Sequence, residues 1–254
     1  LQGIKMFKRL ILTASIILGL TLGAQATSLN DALKGTVKLY SSDTGICSAT
    51  LVADDVLLTA GHCVNEKDLN IRVQVKDKDF NLLREEIIYV DVSKKLTDLD
   101  LAILTPKDKL NSFKTVLGNN ISVVSVATPE QAGSELWTGA DIWTIGYPKA
   151  MELTVTQGLF TGVVESPTDL EASPVYQITA PITGGNSGGG LYIRVDGEFY
   201  LVGVTVAGFR DVSFMNYATN NDNVQKILKG FVEADFKSKT EKSPSVPSMK
   251  TDEK

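Results

Sequence analysis

Residues 57–63 have the sequence Leu57-Leu58-Thr59-Ala60-Gly61-His62-Cys63, an apolar strand that ends in small residues just before the only histidine of the chain. On both sides the sequence continues as short strand-like segments between turn residues, with almost no helical periodicity until its end. Many short strands at this spacing indicate an all-β sandwich or barrel. The expected strands are Thr36–Tyr40, Ala49–Val52, Val56–Thr59, Ile71–Val75, Glu86–Val90, Leu101–Leu104, Ile121–Val126, Ile142–Ile145, Thr154–Thr156, Gly162–Glu165, Val175–Thr179, Leu191–Val195 and Tyr200–Val206.

A break from Pro106 to Asn120, rich in Lys, Asn, Ser and Gly, divides these segments into two groups. Such a polar stretch is typical of a connection rather than of a packed element. We therefore expect an N-terminal β-domain over residues 27–115 and a C-terminal β-domain over residues 116–236.

The end of the second group is different, because its apolar residues follow the i, i+3, i+4 spacing of an amphipathic helix. These residues are Val224, Ile227, Leu228, Phe231 and Val232. Asp222 and Asn223 precede them as possible caps. Beyond Phe236 the tail, residues 237–254, is too polar to pack, and we expect it to be disordered.

The N-terminus has the features of a secretory signal peptide over residues 1–26. Lys8 and Arg9 precede an apolar run from Leu10 to Leu22, and Ala24-Gln25-Ala26 follows as a cleavage site. A membrane anchor is the alternative, but the run is shorter than the roughly 20 apolar residues of a spanning helix. The sequence therefore predicts a secreted or periplasmic protein with no stable membrane anchor.

Charge and composition exclude several classes of protein. The 254 residues carry a net charge of −5, and the signal peptide would remove three basic and no acidic residues, leaving −8. An acidic protein lacks the electrostatic footprint of nucleic-acid binding, and no such partner is expected. One histidine and two cysteines do not support a metal site, and no cofactor is expected. In an oxidising compartment, Cys47 and Cys63 favour a disulfide over two reduced thiols.

The glycine-rich segment Thr183–Gly189 can support nucleophilic chemistry at Ser187. Serine is a poor nucleophile unless a base lies within hydrogen-bond reach and an anion-stabilising site lies beside it. The glycines allow a sharp turn in which the N–H groups of Gly185 and Ser187 point at one oxyanion. A flexible glycine-rich hairpin is the alternative for this segment taken alone.

An imidazole base for Ser187 can come only from His62, because the chain has no other histidine. The base needs a carboxylate that holds its tautomer and stabilises the imidazolium. Two acids compete for that position. Asp100 leads the apolar segment Leu101–Leu104 and is favoured, whereas Asp98 has a more polar approach.

These segments together resemble the trypsin-like serine proteases. Residues Leu58–Cys63 resemble the histidine motif of that family, Asp100–Leu104 its aspartate strand, and Gly185–Gly189 its serine loop. The order His, Asp, Ser is that of chymotrypsin. The resemblance covers roughly Thr36–Phe236 and implies two six-stranded antiparallel β-barrels with a C-terminal helix and the site between them. Cys47 stands where the family has a cysteine that bridges to the one after the histidine.

The resemblance implies peptide-bond hydrolysis of protein or peptide substrates. Ser187 would attack, His62 would move the proton, Asp100 would orient the imidazole, and Gly185 with Ser187 would hold the oxyanion. A catalytically silent binding module on the protease fold is the alternative. It is disfavoured, because such modules usually lose a triad residue. The sequence contains no signal that indicates an oligomeric state.

The residue before the serine distinguishes branches of this family. Asn186 stands where the digestive enzymes have Asp, and Gly-Asn-Ser-Gly is similar to the bacterial glutamyl endopeptidase-like and HtrA-like branches. An HtrA protein would need a PDZ domain after the protease. The glutamyl branch has a pocket histidine where Thr205 stands here. Without an Asp before the serine, or an Ile-Val-Gly-Gly stretch between Ala26 and Cys47, we expect activity as soon as the signal peptide is removed.

The substrate pocket is expected along Leu201–Gly208, which is similar to the family's pocket strand. Pro181 lies where trypsin-like enzymes have a carboxylate, so a substrate Lys or Arg would meet no counter-charge. Ile182 and Val206 would form apolar walls, and Gly208 would leave the entrance open. The sequence thus predicts a preference for an apolar or small side chain before the scissile bond.

Overall fold

The computed structural model describes residues 27–42, 44–64, 69–76, 82–166, 174–209 and 212–241. The expected signal peptide and residues 242–254 of the tail lie outside these ranges. Within the described ranges, twelve strands form two closed, six-stranded antiparallel barrels. The expectation of an all-β fold with two barrels and a C-terminal helix is therefore confirmed.

The first barrel combines nearly continuous buried strands with strands whose apolar side chains alternate with polar ones, as in a strand with one buried face. In the fourth strand, for example, Ile71, Val73 and Val75 are buried, whereas Arg72 and Gln74 are partly exposed. Its strands are β1 (Thr36–Ser41), β2 (Gly45–Ala53), β3 (Val56–Ala60), β4 (Asn70–Lys76), β5 (Leu82–Leu96) and β6 (Leu101–Pro106). They close in the order β1-β2-β3-β6-β5-β4.

The second barrel encloses its own apolar cluster, in which Ile142, Phe160, Ile178 and Ile193 are buried. Its strands are β7 (Asp141–Gly146), β8 (Thr154–Val164), β9 (Val175–Ile178), β10 (Gly190–Val195), β11 (Glu198–Phe209) and β12 (Val212–Thr219). They close in the order β10-β11-β12-β9-β8-β7. The chain thus folds as two barrels of the same construction.

In the part of the chain that the structure describes, four α-helices accompany the barrels: α1 (Leu29–Gly35), α2 (Phe113–Leu117), α3 (Pro129–Glu135) and α4 (Asn221–Glu241). The first and third begin with capping boxes, formed by Ser28 with Asp31 and by Thr128 with Gln131. Apolar periodicity, on which the sequence expectations relied, does not reveal such short helices. None of the described helices has the length and apolar character needed to cross a bilayer.

The C-terminal helix differs from expectation at both ends. It begins at Asn221, one residue before the expected caps, and continues to Glu241 rather than ending near Phe236. The extra residues include Lys and Glu, which have favourable helix propensity.

Two strand predictions were wrong in detail, and one strand was missed. Residues 121–126 form no strand, and their one bridge pairs Val126 with Leu201. The two short strands expected between Thr154 and Glu165 are the single strand β8. Gly158 lies inside this strand. A Cβ there would be 2.2 Å from the Ala180 nitrogen, so glycine permits a close approach of the two backbones. Strand β12 was not predicted, because a polar Asn216 occupies its middle.

Candidate active site

His62 and Asp100 lie side by side at the ends of two neighbouring strands. His62 is in a single 3-10 turn, Gly61–Cys63, directly after β3, and Asp100 stands directly before β6. The imidazole Nδ1 lies 2.7 Å from Oδ2 of Asp100, and the main-chain N–H of His62 donates to Oδ1 at 2.7 Å. One carboxylate therefore holds both the ring and the backbone of the histidine.

The backbone conformations of Asp100 and Gly61 permit this contact. Asp100 has left-handed dihedrals, φ 49° and ψ 44°, which Asp tolerates better than most residues. Its carbonyl oxygen accepts the Gly61 N–H at 2.9 Å. A Cβ on Gly61 would lie 3.1 Å from both Oδ1 of Asp100 and the Leu101 nitrogen. Glycine before the histidine thus permits the close approach of the two strand ends.

Burial separates the two acids that the sequence left in competition. Asp100 is 3% exposed, whereas Asp98 is exposed and makes no contact with the ring among the described residues. The side chain of His62 is 45% exposed. Because a carboxylate can only accept, Nδ1 of His62 carries the proton, and Nε2 of the neutral ring keeps a free lone pair. The exposed edge of the imidazole can therefore accept a proton.

The serine loop, Thr183–Gly189, lies between β9 and β10 and is held by main-chain hydrogen bonds, two within the loop and one to β11. The Asn186 N–H donates to Thr183 at 3.0 Å, the Gly189 N–H to Asn186 at 2.8 Å, and the Gly188 N–H to Thr205 at 2.8 Å. Among the described residues these bonds occupy three of the loop's N–H groups. The loop consequently has one defined shape.

The two N–H groups expected to bind an oxyanion are not used by this network. Neither Gly185 nor Ser187 donates its N–H to an acceptor in the described part of the chain. Gly185 has φ 98°, a conformation that other residues rarely adopt. Ser187 is half-buried. Two free donors on either side of Asn186 can bind a negative oxygen.

The loop is held against the first barrel beside the histidine turn. The carbonyl oxygen of Ser187 accepts the Ser48 N–H at 2.8 Å, and Sγ of Cys63 lies 3.7 Å from that oxygen. The predicted Cys47–Cys63 disulfide is confirmed, with an S–S distance of 1.99 Å. It joins β2 to the turn that carries His62. These contacts bring the residues of the three sequence motifs into one region.

The side-chain oxygen of Asn186 does not hold the serine loop. The residue is 6% exposed, and its Oδ1 is buried with no hydrogen-bond partner among the described residues. Thr205 supports the loop instead, because its Oγ1 lies 2.5 Å from the Asn186 carbonyl oxygen and 3.2 Å from that of Gly189. The Thr205 hydroxyl thus faces the loop.

Of the three expected pocket residues, Ile182 and Gly208 lie together, whereas Val206 lies in the apolar core. A Cβ on Gly208 would lie 3.4 Å from Cγ1 of Ile182, so these two residues are neighbours. Val206 is 7% exposed and packs in the apolar core. The same Cβ on Gly208 would lie 2.3 Å from Oδ1 of Asn216, a residue that sequence reasoning missed. Its only signal was an asparagine inside an otherwise strand-like segment.

Asn216 is a buried polar residue with both amide hydrogens engaged. Its Nδ2 donates to the carbonyl oxygens of Ala180 at 2.9 Å and of Ser213 at 2.8 Å. Its Oδ1 therefore is the group that faces Gly208. The pocket region thus presents an acceptor oxygen and apolar groups.

Comparison with known proteins identifies relatives of this fold. The family model of the trypsin-like peptidase domain matches residues 47–204. An inactive serine-to-alanine mutant of Rv3671c from M. tuberculosis H37Rv superposes with a TM-score of 0.58 and 17% identity, covering 85% of this chain and 91% of that one. No match is found among curated proteins.

Two further solved structures share the fold at low identity. The HtrA-type protease AlgW with a tripeptide has a TM-score of 0.61 and 21% identity, covering 82% of this chain and 63% of that one. The serine endoprotease from Yersinia pestis has a TM-score of 0.55 and 20% identity, covering 82% and 68%. The chain spans about three fifths of AlgW. With the family model matched over most of its length, the chain belongs to the trypsin-like serine peptidases.

Proposed function

We propose that this chain is an exported serine endopeptidase with Ser187 as nucleophile, His62 as general base and Asp100 as the residue that orients the base. The observation that carries the proposal is the pairing of His62 with the buried Asp100, with Nδ1 and Oδ2 2.7 Å apart. This pairing leaves Nε2 as the basic atom of a ring whose side chain is 45% exposed.

The chemistry follows from these groups. Ser187 Oγ attacks the carbonyl carbon of the substrate peptide while Nε2 of His62 takes the hydroxyl proton, and the carbonyl oxygen becomes negative. The N–H groups of Gly185 and Ser187 would stabilise that oxygen. Nε2 then returns the proton to the leaving amine, and an acyl-enzyme remains. Water attacks the ester by the same proton transfers and releases Ser187.

Asp100 contributes without taking a proton. Its carboxylate accepts from Nδ1 and so favours the positive imidazolium that forms during each proton transfer. Burial strengthens this interaction, because a low local dielectric screens the two charges less than water does. The second oxygen is engaged by the His62 main chain, which prevents the carboxylate from rotating away.

The finer parts of the proposal concern processing and substrate. We infer cleavage after Ala26, a secreted or periplasmic location, and activity without further trimming of the N-terminus. The uncharged Asn186 supports this, because it offers no carboxylate for a new N-terminal ammonium. We also infer a preference for apolar or small residues before the scissile bond. Ile182 and Gly208 support that preference, since one side chain is apolar and the other residue has no side chain.

The test uses the mature chain, residues 27–254, with a fluorophosphonate probe and an unstructured protein substrate. We expect rapid covalent labelling and hydrolysis, both lost in Ser187→Ala. Rapid labelling requires an activated serine, so a binding module would not react. Labelling that survives in Ser187→Ala, or a folded wild-type chain that neither labels nor hydrolyses, would refute the proposal.

A further inference from the structure

Ser48 lies on β2, next to Cys47, and is fully buried where the first barrel meets the serine loop. Its Oγ donates to the Gly185 carbonyl oxygen at 2.8 Å and accepts the Tyr147 N–H at 2.9 Å. A main-chain N–H only donates and a carbonyl oxygen only accepts, so the hydroxyl proton must point at Gly185. Both functions of this hydroxyl are therefore used, each toward the second barrel.

Gly185 needs support from outside because glycine adopts many backbone conformations with similar ease. The carbonyl oxygen of Gly184 accepts the Lys149 N–H at 2.6 Å. In a trans peptide the N–H points away from the carbonyl, so this bond directs the Gly185 N–H to the opposite side. Ser48 binds the next carbonyl oxygen in the chain, that of Gly185. Together the two bonds fix the peptide planes on both sides of Gly185.

Ser48 also supports the turn that supplies the Lys149 N–H. In the 3-10 turn Pro148–Ala150, Lys149 has φ 49° and Ala150 has φ 64°. Two successive non-glycine residues in the left-handed region are strained, and such a conformation persists only where its surroundings hold it. Ser48 holds the start of this turn through the Tyr147 N–H.

Lys38 holds the other end of the same turn. Its Nζ donates to the Ala150 carbonyl oxygen at 3.0 Å and lies 5.0 Å from the centroid of the Tyr147 ring. Lys38 is on β1, so this second anchor also comes from the first barrel. The strained turn and Gly185 are thus held by two side chains that lie outside the triad.

We propose that Ser48 is a positioning residue for peptide hydrolysis, which holds the Gly185 N–H in the direction needed to bind the oxyanion. The inference rests on the proposed function. Ser48→Ala would leave the Gly185 carbonyl and the Tyr147 N–H without their partner in a buried place, which is unfavourable. Rotation of the Gly185 peptide planes relieves this and turns the N–H away from the oxyanion.

The test compares Ser48→Ala with the mature wild-type chain. We expect kcat to fall about 10- to 100-fold, near the range seen when one oxyanion donor is lost, while KM changes less than about threefold. Affinity for a peptide aldehyde, which forms an oxyanion on the enzyme, should fall by the same factor as kcat/KM. The acid limb of the pH–rate profile should not move, because His62 and Asp100 are untouched.

Thr36→Val is the matched control, because Thr36 is 3% exposed and its Oγ1 donates to the Ala32 carbonyl oxygen at 2.9 Å. It loses a buried hydroxyl bond in the same barrel, and its kcat should stay within about twofold of wild type. An equal loss of kcat in Thr36→Val would show that Ser48 acts only through general stability. A folded Ser48→Ala with wild-type kcat would also overturn the inference.

If Ser48→Ala does not fold, a second variant tests whether the anchors from the first barrel support catalysis. Lys38→Met removes the other anchor from a partly exposed position and should lower kcat at least about threefold with little change in KM. Unchanged kcat in that variant would overturn the inference. The proposed function has its own test in Ser187→Ala, so an active Ser48→Ala beside an inactive Ser187→Ala contradicts only the role of Ser48.

Discussion

Asp100→Asn tests the orientation of the base most directly, because the two side chains have the same shape. Oδ1 of Asp100 accepts the His62 N–H at 2.7 Å, a bond that only an oxygen can make. The asparagine amide must therefore place its oxygen there and its NH₂ group toward Nδ1. Nδ1 then has to accept, the ring proton moves to Nε2, and Nε2 can no longer take the proton of Ser187.

A change to the wrong tautomer lowers kcat by about 10⁴-fold, or about 5 kcal/mol in the activation free energy. The assay is steady-state hydrolysis of a peptide substrate, with thermal unfolding to show that the variant is folded. Asp98→Asn is the matched control, since it makes the same charge change two residues away on an exposed side chain. Asp98→Asn should retain wild-type kcat. A folded Asp100→Asn with more than a tenth of wild-type kcat would contradict the assigned orientation.

Three further predictions concern stability, pH and processing. Removing the disulfide with Cys47→Ala and Cys63→Ala, which are 16 residues apart, should lower the free energy of unfolding by about 3 kcal/mol in chemical denaturation; an unchanged midpoint would contradict this. Burial raises the pKa of Tyr192 to about 12, so the folded state holds that proton more tightly than the unfolded one. The contribution of Tyr192 to the free energy of unfolding is fully present below pH 10 and is lost as the pH rises toward 12, by about 2 to 3 kcal/mol. The Tyr192→Phe variant should lose less stability over that interval. A chain of residues 27–254 with a short N-terminal tag should hydrolyse peptide without trimming, and a tagged chain that stays inert would show that a free N-terminus is needed.

The fold was largely predictable because its motifs are local in sequence. The small residues before His62 and the glycines around Ser187 are short signals whose order indicates a specific pair of barrels. Strand β12 was missed because Asn216 interrupts its apolar character. That asparagine is satisfied by carbonyl groups such as Ala180, 36 residues earlier, which no local pattern contains.

The candidate catalytic residues could be predicted from the sequence, but the residues that hold the serine loop in place could not. One histidine and two candidate acids left few alternatives, and burial at the start of β6 favoured Asp100 over Asp98. The role of Ser48 could not be found in the same way. Its hydroxyl bonds reach Gly185 and Tyr147, 137 and 99 residues away, and a serine in a strand has no other distinguishing feature.

Those long separations have a consequence for the order of folding. A bond that closes a loop of 137 residues forms only after the intervening chain is organised, and folds rich in such contacts are slow to form. Each barrel can close with its own strands, but the Gly185 peptide reaches its final direction only when the second barrel docks on β2. Peptidase activity is therefore expected to appear last in refolding, after secondary structure has returned. A chain whose two barrels have not yet docked would carry His62 and Asp100 for some time without peptidase activity.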